Sequence, residues 1–216
     1  MKSRILYFVI GQIILTLGSS LIIKANLGAA PWEALAVGES QILHLSVGTC
    51  AILNGIVLIF INSFIQKRKP EILSVLTIFL TGTLIDFWLL TILESISFNQ
   101  LVVQVLVLLV GIFILGFGVA LYLQAKFPAS PMDTIMIAIH EKFGLSLRNS
   151  KLIAESTALI LAFLINGAVG IASIVIALTI GGFVQFFHQK IIAWREAGTI
   201  KSANFIRGIL VKGKSY

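Results

Sequence analysis

An all-α integral membrane protein is the fold class this sequence predicts, and three observations predict it. The first is composition. Of 216 residues, 58% are hydrophobic and 12% charged, about half the charged share of a soluble domain, and the mean hydropathy is +1.03. Too few polar side chains are present to cover a water-facing surface, so the apolar surplus must face lipid. The second is a series of six apolar runs, each near the ~20 residues that a helix needs to cross the hydrocarbon core. The third is an internal match at an offset of one hundred residues, which divides the chain into two related halves.

The runs lie at 5–23, 47–65, 72–93, 101–123, 148–166 and 170–188. Each is predicted helical, because only a helix satisfies its own backbone within lipid. Arg148, Lys151 and Glu155 crowd the start of the fifth, so its apolar part begins near Leu152. The first run follows Lys2 and Arg4 as a signal peptide would, but it recurs in the second half, which argues that it is kept. Two shorter stretches, 31–43 and 131–143, read as helices too short to span. Pro31 and Pro131 suit a first helical turn, where no amide hydrogen is needed. Ser130 and Asp133 predict a cap of the Ser-x-x-acid type. Such half-helices either rest at the interface or dip into the bilayer and return.

Charge orients the spans. With the N-terminus in the cytoplasm, fifteen of the sixteen lysines and arginines, Lys126 among them, fall on the cytoplasmic side and Lys24 falls opposite. This obeys the positive-inside rule and favours an even number of crossings, with both termini cytoplasmic. The net charge of +7 therefore reads as a membrane signature, and no nucleic-acid partner is expected. The tail at 191–216 mixes basic and apolar residues, which suits an interfacial helix on anionic lipid.

Sliding the chain by one hundred sets Gly11 on Gly111, Gly18 on Gly118, Pro31 on Pro131 and Ser46 on Ser146. With one residue dropped near 66–71, "GTLIDFW" at 82–88 lies on "GGFVQFF" at 181–187, so Asp86 meets Gln185. A single membrane domain over 1–190 is predicted, with repeats at about 5–93 and 101–190. Each repeat is span, half-helix, span, span. Three crossings are odd, so the second repeat enters from the opposite side. Such inverted repeats recur in secondary transporters, around a site near the midplane.

Several residues are candidates for that site. Asp86 stands in the third span, where a charge costs roughly 2.5 kcal/mol or more and seeks a protein interior or a wet cavity. A proton or cation site and a hydrogen-bonded packing role both fit it. Gln185, its mate, cannot titrate. Glu33 and Asp133 sit in first helical turns, as dipole-matching caps or as a cation site or gate. Because acids occupy helix starts that otherwise favour anions, a cationic or neutral solute is expected. Trp32 reads as an interfacial anchor or an aromatic wall, with Pro31 and Pro131 shaping the site. Lys151 and Glu155 are spaced to pair, Gln12 and Asn54 to bond between helices, and Trp88 and Trp194 to mark interfaces.

Other chemistries lack their signatures. His44, His140 and His188 show no metal-ligand spacing, and Cys50 has no second cysteine, so neither a metal nor a cofactor is expected. No nucleophile–base motif is present and no enzyme is predicted. Three stretches, "LGAAPWEALAVG", "FPASPMDTIMIAI" with "GLSLRNSKLI", and "IGGFVQFF", resemble the YczE/YitT-like family of bacterial integral membrane proteins over most of 5–190. The resemblance implies a multi-pass protein of the bacterial plasma membrane and assigns no substrate. A small secondary transporter or permease for a small solute is the expected function, and so small a carrier suggests a homodimer. The alternative is a membrane scaffold or accessory subunit acting through partner proteins without transport.

Overall fold

The computed structural model describes the backbone at residues 2–125, 127 and 130–212, and side chains at 4–125, 127 and 130–194. Lys126 and the side chains of the tail beyond Trp194 lie outside the described residues. The described chain is helical, in the order α1 (Lys2–Ala25), α2 (Pro31–Leu43), α3 (Val47–Gln66), α4 (Leu73–Phe87), α5 (Leu101–Leu123), α6 (Pro131–Phe143), α7 (Leu147–Leu164) and α8 (Ile171–Lys212). A π-helical turn at Trp88–Ile92 extends α4. Helix α8 runs on without a break through the basic tail.

Five of these helices are long and apolar enough to cross a membrane: Arg4–Ala25, Val47–Gln66, Leu73–Ile92, Leu101–Leu123 and Ile171–Trp194. The expected fifth span forms as α7, with 18 residues, but is not among them. Its charged first half is the reason: Lys151 and Glu155 pair at 3.5 Å along it.

Helices α1 and α5 form the central pair and run antiparallel. Glycines let them touch backbone to backbone, the small-residue contact that substitutes for a hydrophobic drive in lipid. A Cβ built on Gly18 would lie 2.4 Å from Leu115 N, and one on Gly118 would lie 2.3 Å from Leu15 N. Gly11 meets Tyr122 and Gly111 meets Ile22 in the same way. Around this pair, Ile22, Leu35, Leu115, Ala162 and Ile176 bring α1, α2, α5, α7 and α8 into one buried cluster.

Irregular backbone inside this bundle is paired, as it must be away from water. The linker after α1 lies against the linker before α8: Ala29 N donates to Ala168 O at 2.8 Å, and Ala172 N donates to Leu27 O at 3.0 Å. Gly28, at φ +117°, allows this approach, because a side chain there would strike Gly170 N at 2.8 Å.

Caps set the helix starts. Ser46 Oγ accepts from Thr49 N at 3.1 Å, and Ser146 Oγ accepts from Asn149 N at 3.2 Å. The cap expected from Ser130 and Asp133 does not form. Ser130 makes no side-chain capping bond; its Oγ turns to Met132 Sδ at 3.5 Å while its backbone N donates to Tyr122 Oη at 3.1 Å. Ser46 also donates to Asp86 Oδ2 at 2.6 Å. Ser46→Ala is therefore expected to cost about 2 kcal/mol and Ser146→Ala about 1 kcal/mol, read as thermal unfolding in detergent. Equal losses would remove the added weight given to the Asp86 contact.

Candidate functional site

The two half-helices build the site. Helix α2 climbs beside α3 in the opposite direction. Ala36 packs with Cys50 and Ala51, Asn54 Nδ2 donates to Glu39 Oε2 at 2.7 Å, and Trp32 packs near Leu58. Leu58 lies about 11 residues into α3, roughly 16 Å along its axis, so α2 begins deep in the bundle and rises towards the α3 start. Helix α6 bears the same relation to α7, with Ile135 and Ile139 against Ala154. The halves interlock. Gly38 of α2 abuts Gly167 after α7, and Asn62 of α3 donates to Pro131 O at 2.9 Å.

Between these four helices is a cavity of about 570 Å³, within the range of small-molecule sites. Trp32, Leu35 and Glu39 reach it from one face of α2, Asn54 and Leu58 from α3, Ile135 and Ile139 from α6, and Thr157 from α7. Several lining residues stand one hundred positions apart in the sequence. Leu35 and Ile135 form such a pair, as do Glu39 and Ile139, Asn54 and Ala154, Val57 and Thr157, and Ile61 and Leu161. The cavity is thus lined by corresponding positions of the two halves, polar on one side at Glu39 and Asn54 and apolar at their mates.

The sequence candidates divide among four places. Trp32 lines the cavity. Glu33 turns the other way, accepting from Ser19 Oγ of α1 at 3.2 Å, and is near enough to Glu155 and Asp133 to feel both charges. Lys151 and Glu155 act likewise on Asp133, whose side chain is exposed. Pro31 and Pro131 are buried, and the first turns that they open, with Trp32 and Met132, pack against one cluster around Leu58 and Ile135. Asp86 stands at the first turn of α3, where Oδ1 accepts from Gly48 N at 2.7 Å and Oδ2 from Ser46 Oγ. Gln185 is exposed on α8.

The α3–α4 and α7–α8 pairs differ in closure. A Cβ on Gly82 would lie 2.5 Å from Gly48 O, so α4 is seated on α3. Gly181, its counterpart, and Gly182 face open space, with no atom within 4 Å of a Cβ there.

Some of the site escaped the sequence reading. Glu39 was not a candidate, although 32, 35 and 39 share a helical face. Buried Gln12, Thr16, Ser19 and Ser20 form a polar stripe on α1, signalled by their i, i+4, i+7 spacing in an apolar helix. Gln12 itself makes the bond between helices that the sequence predicts, its Oε1 accepting from Thr81 Oγ1 of α4 at 2.8 Å. Trp88, expected at an interface, donates its indole N–H to Thr16 Oγ1 of α1 at 3.1 Å.

The apolar helices and the paired interior backbone define a multi-pass helical membrane protein. The chain belongs to the family described as a family of unknown function, DUF6198, whose model matches residues 2–189. It is 32% identical to YyaS, an uncharacterised protein of Bacillus subtilis, over 88% of this chain and 94% of that one. It is also 31% identical to the uncharacterised membrane protein YczE of the same organism, over 83% of each chain. An uncharacterised protein of Haemophilus influenzae is 29% identical, over 81% of this chain and 78% of its own. No solved structure matches.

Proposed function

We propose that the protein is a small secondary transporter that works by alternating access between two inverted halves. The observation that carries this reading is the cavity, walled by residue pairs that stand at one constant offset. A two-fold axis in the membrane plane places corresponding residues around one central space, which is where transporters of this kind bind their solutes. The glycine contacts supply the same offset. The pair of Gly11 with Tyr122 maps onto Gly111 with Ile22, and Gly18 with Leu115 maps onto Gly118 with Leu15. In this reading α7 is the sixth span, about 27 Å long, with its internal ion pair lowering the cost of its charges. The half-helices are re-entrant, and the charge asymmetry puts both termini in the cytoplasm of a bacterial cell.

The unequal closure fits one stage of a transport cycle. With α4 seated on α3 and α8 standing off α7, the two corresponding helix pairs stand in different arrangements. Exchange of these two arrangements is the rocking motion that alternating access requires.

Cysteine pairs test the motion. In a Cys50→Ser background, Ser46→Cys with Asp86→Cys is expected to cross-link quickly. Ser146→Cys with Gln185→Cys, the corresponding pair, is expected to cross-link more slowly and to stop solute uptake into proteoliposomes once formed. If the second pair never joins, and no solute of a broad panel enters, a membrane scaffold acting through partner proteins replaces the transporter.

A further inference from the structure

We propose that the cavity binds a lipophilic organic cation carrying one positive charge, with Glu39 as its counter-ion and Trp32 as an aromatic wall. The inference rests on the transport reading and names its substrate class.

Four features of the cavity select this chemistry. The first is charge. Glu39 is the charged group among the described lining residues, and no lysine or arginine joins it. Its repeat mate is Ile139, so the cavity presents a single negative charge rather than two. A bound anion would meet that carboxylate unpaired in an apolar setting, a costly arrangement.

The second is orientation. Asn54 holds Glu39 Oε2 at 2.7 Å, and a carboxylate has further lone pairs with which to face a ligand. Small metal cations need six or more oxygen ligands or retained water. Glu39, Asn54 and Thr157 supply too few, and Leu35, Leu58 and Ile135 around them offer a hydrated ion nothing. A bulky cation, whose charge is spread beneath an apolar surface, loses little hydration on entering.

The third is size and wall. About 570 Å³ suits a molecule of drug size, and an indole face attracts an organic cation. The fourth is the mouth. Ile42, Leu43 and Leu164 line the cavity and are 58%, 53% and 70% exposed. The entrance is therefore apolar, which admits a lipophilic ligand and discourages a strongly hydrated one.

Tetraphenylphosphonium is the probe, and tetraphenylborate, an anion of the same shape, is its control. Saturable binding of radiolabelled tetraphenylphosphonium to the purified full chain is expected, with tetraphenylborate failing to compete. Glu39→Gln keeps the volume and a bond to Asn54 but removes the charge, and is expected to weaken binding about tenfold or more. Glu39→Asp keeps the charge and is expected to bind within about threefold of the parent. Equal competition by the anion, or parental affinity in Glu39→Gln, overturns the proposal. So does a comparable loss in both variants, which would make Glu39 a packing residue. The two readings fail separately. Binding without uptake into proteoliposomes leaves the cation site standing and removes transport; uptake of other solutes without tetraphenylphosphonium binding does the reverse.

Discussion

Gly18→Leu is expected to cost more than about 3 kcal/mol and to lower the melting temperature in detergent by roughly 10 °C or more. A side chain at this position meets Leu115 N at 2.4 Å and Gly111 O at 2.8 Å. Both are backbone atoms, so no rotamer change relieves the clash. The α1 and α5 axes must part, and the packing of Ile22, Ile112 and Leu115 opens with them. Gly118→Leu is expected to act alike, since it meets Leu15 N at 2.3 Å. Gly181→Leu is the informative contrast. Nothing lies within 4 Å of its Cβ, so stability is expected to hold within about 0.5 kcal/mol. Under alternating access the same side chain blocks the seating of α8 on α7, so uptake is expected to fall while folding survives. A melting temperature lowered as much by Gly181→Leu as by Gly18→Leu would contradict the open side of the molecule.

Asp86→Ala is expected to lose about 3 kcal/mol, the second large effect. It strips the acceptor from Gly48 N and from Ser46 Oγ at the start of α3, and bonds to a charged partner contribute about 1.5–3 kcal/mol each before relaxation. Asp86→Asn retains an oxygen for Gly48 N and an amide that can donate to Ser46 Oγ, so its loss is expected near 1 kcal/mol. Hydrogen exchange at the first turn of α3 reads the difference directly: fast in the alanine variant, slow in the asparagine one. Because these bonds tie α4 to α3, the alanine variant is also expected to loosen the contact between these two helices. Unchanged exchange in Asp86→Ala would assign the carboxylate a role other than fastening these helices.

Much of the fold was legible because it is written in periodicity and length. The first five apolar runs became helices close to their expected bounds, the sixth starts where expected but continues to Lys212, and the prolines at 31 and 131 open the half-helices as expected. The pairing of Lys151 with Glu155 followed from spacing. What sequence could not supply was neighbourhood. Asp86 reads as a buried charge in search of water, yet its partners, Ser46 and Gly48, sit about forty residues earlier. Glu39 reads as a polar residue on a short amphipathic helix until α3 brings Asn54 against it. Ser130 has the residue type of a cap, but Met132 takes its hydroxyl. The asymmetry is the least legible of all. Gly82 and Gly181 are the same residue at matching positions, and only their surroundings show that one is packed and the other open.

The crossed linkers carry a consequence for how the protein is made. Leu27 O and Ala29 N find their partners in Ala172 and Ala168, which the ribosome adds some 140 residues later. At about 5–20 residues per second, the early segment waits roughly 7–28 s for them. Until then it must be sheltered in the insertion machinery or held at the water interface, since bare peptide groups are costly in lipid. The amino-terminal half is thus an unfinished product on its own, and biogenesis of the molecule is completed from its far end.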